Sequence, residues 1–206
     1  MQWIIPGTTL EGERDKASLV QKQFEAMFLP GGMMLSQVAA LTGLEPYTVQ
    51  NWVRRGFLSS PVKKRYTLRQ LCRIVNINML KPILSMERIC ALLGYVNGQL
   101  DDESDDMIDD SVLYFMFVKL AARASELHTS DRREQLLDEI MEEYREPVPG
   151  ASEKVRQVLK IMLTAWIAAQ VGQEADHMLT NLLENKERRN EYGTKWNLSL
   201  EPRSGQ

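Results

Sequence analysis

The sequence predicts an all-α protein in which a winged helix-turn-helix domain precedes a helical C-terminal domain. Apolar residues recur at helical spacing along most of the chain, and residues 34–66 combine helix-end signals, a tight turn and a basic segment. The 206 residues are 44% apolar, which is enough for one or two domains with their own cores and excludes disorder of the whole chain.

Five segments follow from the changes in composition along the chain. They are an N-terminal helical arm (1–30), the winged helix-turn-helix domain (31–100), an acidic linker (101–110), a helical dimerisation or effector domain (111–190) and a polar tail (191–206).

The N-terminal arm is expected to be structural. Residues 13–29 predict one helix with its apolar side chains on one side, and Pro30, Gly31 and Gly32 end it. Trp3 is expected to pack alongside with its two isoleucine neighbours. An arm that binds a partner is the alternative interpretation.

Two short helices with a turn between them are predicted next. Ser36 is a candidate N-cap for the first helix, and Gly43 ends it. Pro46 is suited to the first position of the second helix, which runs to about Arg55 before Gly56.

The second of these helices has an apolar face and a polar face. Val49, Trp52 and Val53 form the apolar stripe, which can pack on the first helix. The polar face carries groups that hydrogen-bond base edges and phosphates in a major groove: Tyr47, Thr48, Gln50, Asn51, Arg54 and Arg55.

A basic segment follows the second helix, and we call residues 62–66 the wing. Its cations are Lys63, Lys64 and Arg65, and Tyr66 ends it. Cations beside the second helix would reach flanking phosphates and hold that helix in register. Thr67 can cap a further helix that begins near Leu68.

These residues carry a resemblance to known families. T-V-Q-N-W at 48–52, G-F-L at 56–58, R-Y-T-L at 65–68 and S-M-E-R-I-C-A-L-L at 85–93 resemble the MerR superfamily. N-W-V-R-R-G-F-L, K-K-R-Y and I-N-M-L-K more closely resemble a bacterial family known as domain of unknown function 1836, over roughly residues 31–144. The resemblance implies DNA binding by residues 46–55 and by the wing.

Two features depart from MerR regulators. Gln50, Asn51 and Trp52 stand where those regulators usually carry Arg-Tyr-Tyr, so this part resembles excisionase-like DNA-binding proteins equally well. No long coiled-coil helix is visible in the sequence after the winged domain.

Charge is distributed unevenly. Residues 31–100 hold nine Lys or Arg and two acids, a net charge of +7, whereas the remaining residues hold 16 cations and 26 acids, a net charge of −10. A basic module attached to an acidic body is typical of proteins that bind a polyanion. A chance clustering of solvated charges is the alternative.

Two helices are predicted between the wing and the acidic stretch, over residues 68–83 and from about residue 84, and the Asn97-Gly98 pair closes the domain. The acidic stretch, residues 101–110, lacks the spacing of a calcium loop and is interpreted as a solvated linker. A cation site is one alternative, and a strip that masks the basic face by mimicking DNA is another.

Three further helices are predicted after residue 111. The third begins near Ser152 and is apolar on most sides through Val171, as expected for a central core helix or a dimer interface. A small-molecule effector pocket between these helices is a further hypothesis.

Several functions are not predicted. Cys72, Cys90, His128 and His177 have no metal-ligand spacing, and the chain shows neither a phosphate loop nor a nucleophile motif, so no metal, cofactor or enzyme activity is expected. No membrane span is predicted either, and the first residues lack a signal-peptide pattern, which favours a cytoplasmic location.

The function predicted is therefore a dimeric, sequence-specific transcription regulator that binds double-stranded DNA and pairs through its C-terminal helices. The alternative is an architectural or protein-binding module of the excisionase type. The predicted DNA-binding residues are Ser36, Tyr47, Thr48, Gln50, Asn51, Arg54, Arg55, Lys63, Lys64, Arg65 and Tyr66.

Overall fold

The computed structural model describes residues 2–98, 100, 106–123 and 130–198, with side chains described up to residue 184, residue 130 excepted. The described residues are mainly helical, which confirms the predicted class. The helices are α1 Val20–Phe28, α2 Leu35–Thr42, α3 Pro46–Arg54, α4 Leu68–Leu80, α5 Met86–Asn97, α6 Asp110–Ala122, α7 Ser130–Met141 and α8 Ala151–Leu198. The strands are β1 Gln2–Ile4, β2 Glu11–Glu13, β3 Met33–Met34 and β4 Arg65–Tyr66.

The N-terminal segment differs from the single helix predicted over residues 13–29. β1 and β2 pair as an antiparallel hairpin, Arg14–Leu19 forms a 3₁₀ helix, and α1 begins only at Val20. The hairpin is fixed by contacts distant in sequence, because the Thr9 backbone N–H donates to the Leu41 carbonyl at 2.8 Å. Local periodicity carries no information about such a contact.

Helix α6 lies at the centre of the core. Residues 113–118 of α6 are all 5% exposed or less, a burial on every side that marks a central helix. Its Tyr114 hydroxyl donates to the Pro6 carbonyl at 3.0 Å, and the Tyr114 ring packs against Phe24 and Phe115. The sequence assigned a central position to the third C-terminal helix, whereas the structure buries α6 most completely.

Helix α4 packs directly on α6 and is equally buried. Leu71, Cys72, Ile74, Val75 and Ile77 are each fully buried. Thr67 caps α4 as predicted, because its hydroxyl accepts a hydrogen bond from the Gln70 backbone N–H. The same Gln70 side chain donates to the carbonyls of Ser59 and Ser60, which ties the segment before the wing to the first turn of α4.

The described part of the acidic stretch, residues 106–110, lies against α4. An Asp106 carboxylate oxygen lies 2.6 Å from the Arg69 guanidinium, and Asp110 lies 3.4 Å from Arg73. Asp109 caps α6 by accepting from the Ser111 backbone N–H at 2.7 Å. These residues therefore join the two helices rather than forming a solvated spacer; residues 101–105 lie outside the described residues.

The chain divides into two compact units, Met1–Ile167 and Ala168–Gln206. The acidic stretch thus lies inside the first unit. The final helix, α8, begins at Ala151, one residue before the predicted start near Ser152, and runs to Leu198. It includes part of the predicted polar tail, and residues 199–206 lie outside the described residues.

The buried Arg73–Asp110 pair should be important for stability. Both side chains are 6% exposed or less, so Asp110→Ala leaves a buried guanidinium without its carboxylate and should lower the free energy of unfolding by about 3 kcal/mol or more. Urea denaturation measures the loss, and the double variant Arg73→Met/Asp110→Ala should recover much of it.

A matched control removes a carboxylate from an exposed ion pair. Glu13 and Lys16 lie 2.8 Å apart at the surface, so Glu13→Ala should cost less than about 1 kcal/mol. Equal losses in Asp110→Ala and Glu13→Ala would contradict the role assigned to the buried pair.

Candidate nucleic-acid interface

Helix α2 begins differently from the prediction. Met34 occupies the N-cap position, and its backbone N–H donates to the Gln37 side-chain oxygen at 2.8 Å. Ser36 is therefore the second helical residue and is exposed, so the prediction that it caps the helix was wrong. Pairing of β3 with β4 holds Met34 in an extended conformation, which fixes where the helix starts.

The turn between α2 and α3 follows the prediction. Gly43 ends α2 with φ 67°, a left-handed conformation that glycine adopts without strain, and Pro46 is the first residue of α3. Asn78 of α4 donates to the Thr42 carbonyl at 2.9 Å and to the Gly7 carbonyl at 3.1 Å. These hydrogen bonds attach the turn to helix α4.

Helix α3 has the two faces that the sequence predicts. Val49 is fully buried, Trp52 is 5% exposed and Val53 is half-buried. Tyr47 is 70% exposed although it is a large aromatic residue, and Thr48 is half-buried. The remaining residues of the outer face are all exposed, namely Gln50, Asn51, Arg54 and Arg55.

The wing has an unusual two-residue turn at its tip. The Arg65 backbone N–H donates to the Val62 carbonyl at 2.9 Å, and the two residues between them are Lys63 with φ 51° and Lys64 with φ 63°. Turns of this kind favour Asn-Gly, because other L-residues are strained at positive φ. The turn places two ammonium-bearing side chains at an exposed tip in spite of this strain.

The base of the wing depends on close backbone approach. Gly32 has φ 94°, and a Cβ atom there would lie 2.8 Å from the Tyr66 carbonyl oxygen. The Arg65 guanidinium donates to the Gly32 carbonyl at 2.9 Å. Glycine at position 32 therefore permits the pairing of β3 with β4 that positions the wing.

Tyr66 supports the wing from beneath. The residue is only 3% exposed, and burial raises the pKa of its phenol. The sequence predicts a DNA contact by Tyr66, but most of this side chain is packed in the core. Its position is therefore that of a structural residue with a small accessible edge.

The cations at the end of α3 and in the wing have different surroundings. The Arg55 guanidinium lies 4.5 Å from the centre of the Phe57 ring and 3.7 Å from the Glu87 carboxylate. Arg54, Lys63 and Lys64 form no ion pair within the described residues. The sequence could not foresee Glu87 as a partner, because it belongs to α5. Arg54 on α3 and the two lysines of the wing therefore carry charge that no carboxylate among the described residues neutralises.

A cleft of about 440 Å³ lies between α3 and the wing, and the sequence analysis did not identify it. Its lining is mostly apolar, and its residues with polar side-chain groups are one glutamine, one lysine and one tyrosine. The lining residues are Leu35, Gln50, Val53, Pro61, Lys64 and Tyr66.

Residues 32–117 match the family described as domain of unknown function (DUF1836). The match runs from β3 into α6 and contains every candidate interface residue. The chain is also 26% identical over 161 residues to the uncharacterized protein YkrK of Bacillus subtilis (strain 168), covering 72% of this chain and 69% of that protein. No solved structure gives a significant match. Neither description names an activity.

The described residues contain neither a metal-binding cluster nor a membrane-spanning helix. No group of three or more His, Cys, Asp or Glu side chains there is arranged to hold a metal ion. None of the helices in the same part of the chain has the length and apolar character needed to cross a membrane.

The strained tip of the wing gives a stability prediction. Lys63→Asn/Lys64→Gly should raise the free energy of unfolding by about 1–2 kcal/mol, because both new residues adopt positive φ more readily. Lys63→Gln/Lys64→Gln removes the same charge but keeps the strain, so it should leave stability nearly unchanged. Urea denaturation that gives both double variants the same stability would contradict the strained turn.

Proposed function

We propose that this protein is a sequence-specific transcription regulator that binds double-stranded DNA as a dimer through a MerR-like winged helix-turn-helix. The observation that carries the proposal is the exposed polar face of α3 beside two lysines held at the tip of the wing. Amide and guanidinium groups read base edges in the major groove, and lysines bind phosphates on either side of it. Helix α3 would enter that groove.

Each exposed group has a proposed role. Gln50 and Asn51 would contact base edges, and Arg54 would bind phosphate or guanine. Arg55 would do so only by exchanging its Glu87 partner for DNA. Tyr47 and Thr48 would contact the backbone near the start of α3, and Lys63, Lys64 and Arg65 would contact flanking phosphates.

A dimer is proposed because one helix-turn-helix module contacts few base pairs. The part of α8 within Ala168–Gln206 carries large apolar side chains that are 49–65% exposed. Val171 and Met178 are seven residues apart and Leu182 is four further on, which is the spacing of a coiled-coil seam. Pairing with a second copy would cover this stripe. A small-molecule effector remains a hypothesis.

Genomic-fragment selection with the purified protein, followed by binding of the selected DNA over a range of salt, tests the proposal. A single enriched and roughly palindromic site is expected. Lys63→Asn/Lys64→Gly should bind this site with a salt slope lower by about 4, because the dimer carries two wings and each of the four lost phosphate contacts removes about 0.9. The variant thus gains stability and loses affinity.

Two lysines outside α2, α3 and the wing provide the matched control. Lys22→Gln/Lys81→Gln removes the same charge and should leave the salt slope close to that of the parent protein. Enrichment of no fragment would favour the excisionase-like or protein-binding alternative. An equal loss of slope in both double variants would refute a specific role for the wing.

The dimer is tested separately. Met178→Glu/Leu182→Glu places charges on the exposed stripe and should give a particle of 23.7 kDa in sedimentation equilibrium, the mass of one chain. Gln173→Glu/Thr180→Glu adds the same charge on another face of α8 and should remain dimeric. A dimer in both cases would exclude this stripe as the interface.

A further inference from the structure

We propose that the cleft between α3 and the wing binds the sugar–phosphate backbone of one DNA strand and selects deoxyribose over ribose. This inference rests on the proposed function and adds a discrimination that the polar face of α3 does not provide. Leu35, Val53 and Pro61 form the apolar part of the cleft, and the largely buried Tyr66 also lines it.

The position of the cleft decides which part of DNA would enter it. With α3 in a major groove and the wing on the flanking phosphates, the strand that borders the groove must cross the gap between them. That gap is the cleft, because Gln50 and Val53 line it from α3 and Lys64 lines it from the wing. The occupant is therefore a backbone segment rather than a base edge.

Charge and hydrogen bonding match this occupant. The polar groups lining the cleft come from Gln50, Lys64 and Tyr66, and all of them can donate hydrogen bonds. No carboxylate lines the cleft within the described residues. Phosphate oxygens only accept hydrogen bonds, so the Lys64 ammonium, which the turn of the wing places beside the cleft, fits the phosphate, while Gln50 on the α3 side is the group proposed to contact base edges.

The sugar would then lie against the apolar lining. Deoxyribose presents a CH₂ group where ribose presents a 2′-hydroxyl, and Leu35, Val53 and Pro61 side chains offer that hydroxyl no hydrogen-bond partner. A hydroxyl that leaves water without gaining a partner loses free energy. The cleft should consequently disfavour ribose at the nucleotide that occupies it.

The test is a ribonucleotide scan of the selected DNA site, in which one nucleotide at a time is replaced on each strand. Ribose at one or two positions in each half-site should weaken binding about tenfold. A 2′-fluoro nucleotide at the same position favours the sugar pucker of ribose but has no O–H group to desolvate, so it should weaken binding about twofold or less.

Variants of the apolar lining link the effect to the cleft. Val53→Thr adds a hydroxyl of similar size, and the ratio of ribose to deoxyribose affinity should approach one. Pro61→Ser is a second variant with the same expected direction, should Val53→Thr fail to fold. Comparing ratios cancels any general loss of DNA affinity.

The outcomes separate the two proposals. DNA binding with no ribose-sensitive position would overturn the proposed role of the cleft, while the proposal of a regulator would stand. A 2′-fluoro loss equal to the ribose loss, or an unchanged ratio in both variants, would also overturn it. Failure to bind any duplex would overturn the proposed function and this inference together.

Discussion

The packing of α4 against α6 is the contact on which the described fold depends. The two helices bury large apolar surfaces against each other, and the Arg73–Asp110 pair lies at their junction. Burial of this extent dominates the free energy of folding, whereas the buried ion pair matters mainly because the loss of either partner leaves a buried charge unpaired. The matched family region also ends inside α6, after crossing the acidic stretch. The acidic residues thus belong to the same structural unit as the basic ones.

Helix α4 also places the candidate interface. Gln70 holds the segment before the wing, and Asn78 holds the turn between α2 and α3, so both ends of the interface are attached to one rigid helix. An interface built on loops gains precision when a buried element fixes each loop. The cleft between α3 and the wing is a consequence of this arrangement, since its two walls are attached separately.

The sequence predicted those features that local chemistry determines. Gly43, Pro46 and Thr67 end or begin helices as expected, because caps and turns depend on a few neighbouring residues. The prediction that Ser36 caps α2 was wrong, because the pairing of β3 with the distant β4 determines where α2 starts. The partner of Arg55 was missed for the same reason, since Glu87 reaches it from another helix.

Contacts between distant segments also explain why the cleft and the N-terminal hairpin were not foreseen. The cleft is formed by α3, the start of α2 and the wing, and no single segment contains its pattern. The extension of α8 into the predicted polar tail was not foreseen, because few apolar residues follow Lys186. Helix propensity does not require apolar periodicity, so polar residues can continue a helix that periodicity does not mark.

The turn of the wing has lysines at two positions whose positive φ favours Asn-Gly, so here the sequence does not match the local backbone conformation. A protein selected for stability alone would place Asn-Gly in the turn that Lys63 and Lys64 occupy. Local strain of this kind persists when another benefit outweighs it. Acidic partners neutralise Arg69 and Arg73 within the core, whereas the strained turn keeps its two cations at an exposed tip. The fold therefore neutralises Arg69 and Arg73 internally and exposes the lysines of the wing, a charge distribution that supports the proposal of a polyanion bound at this face.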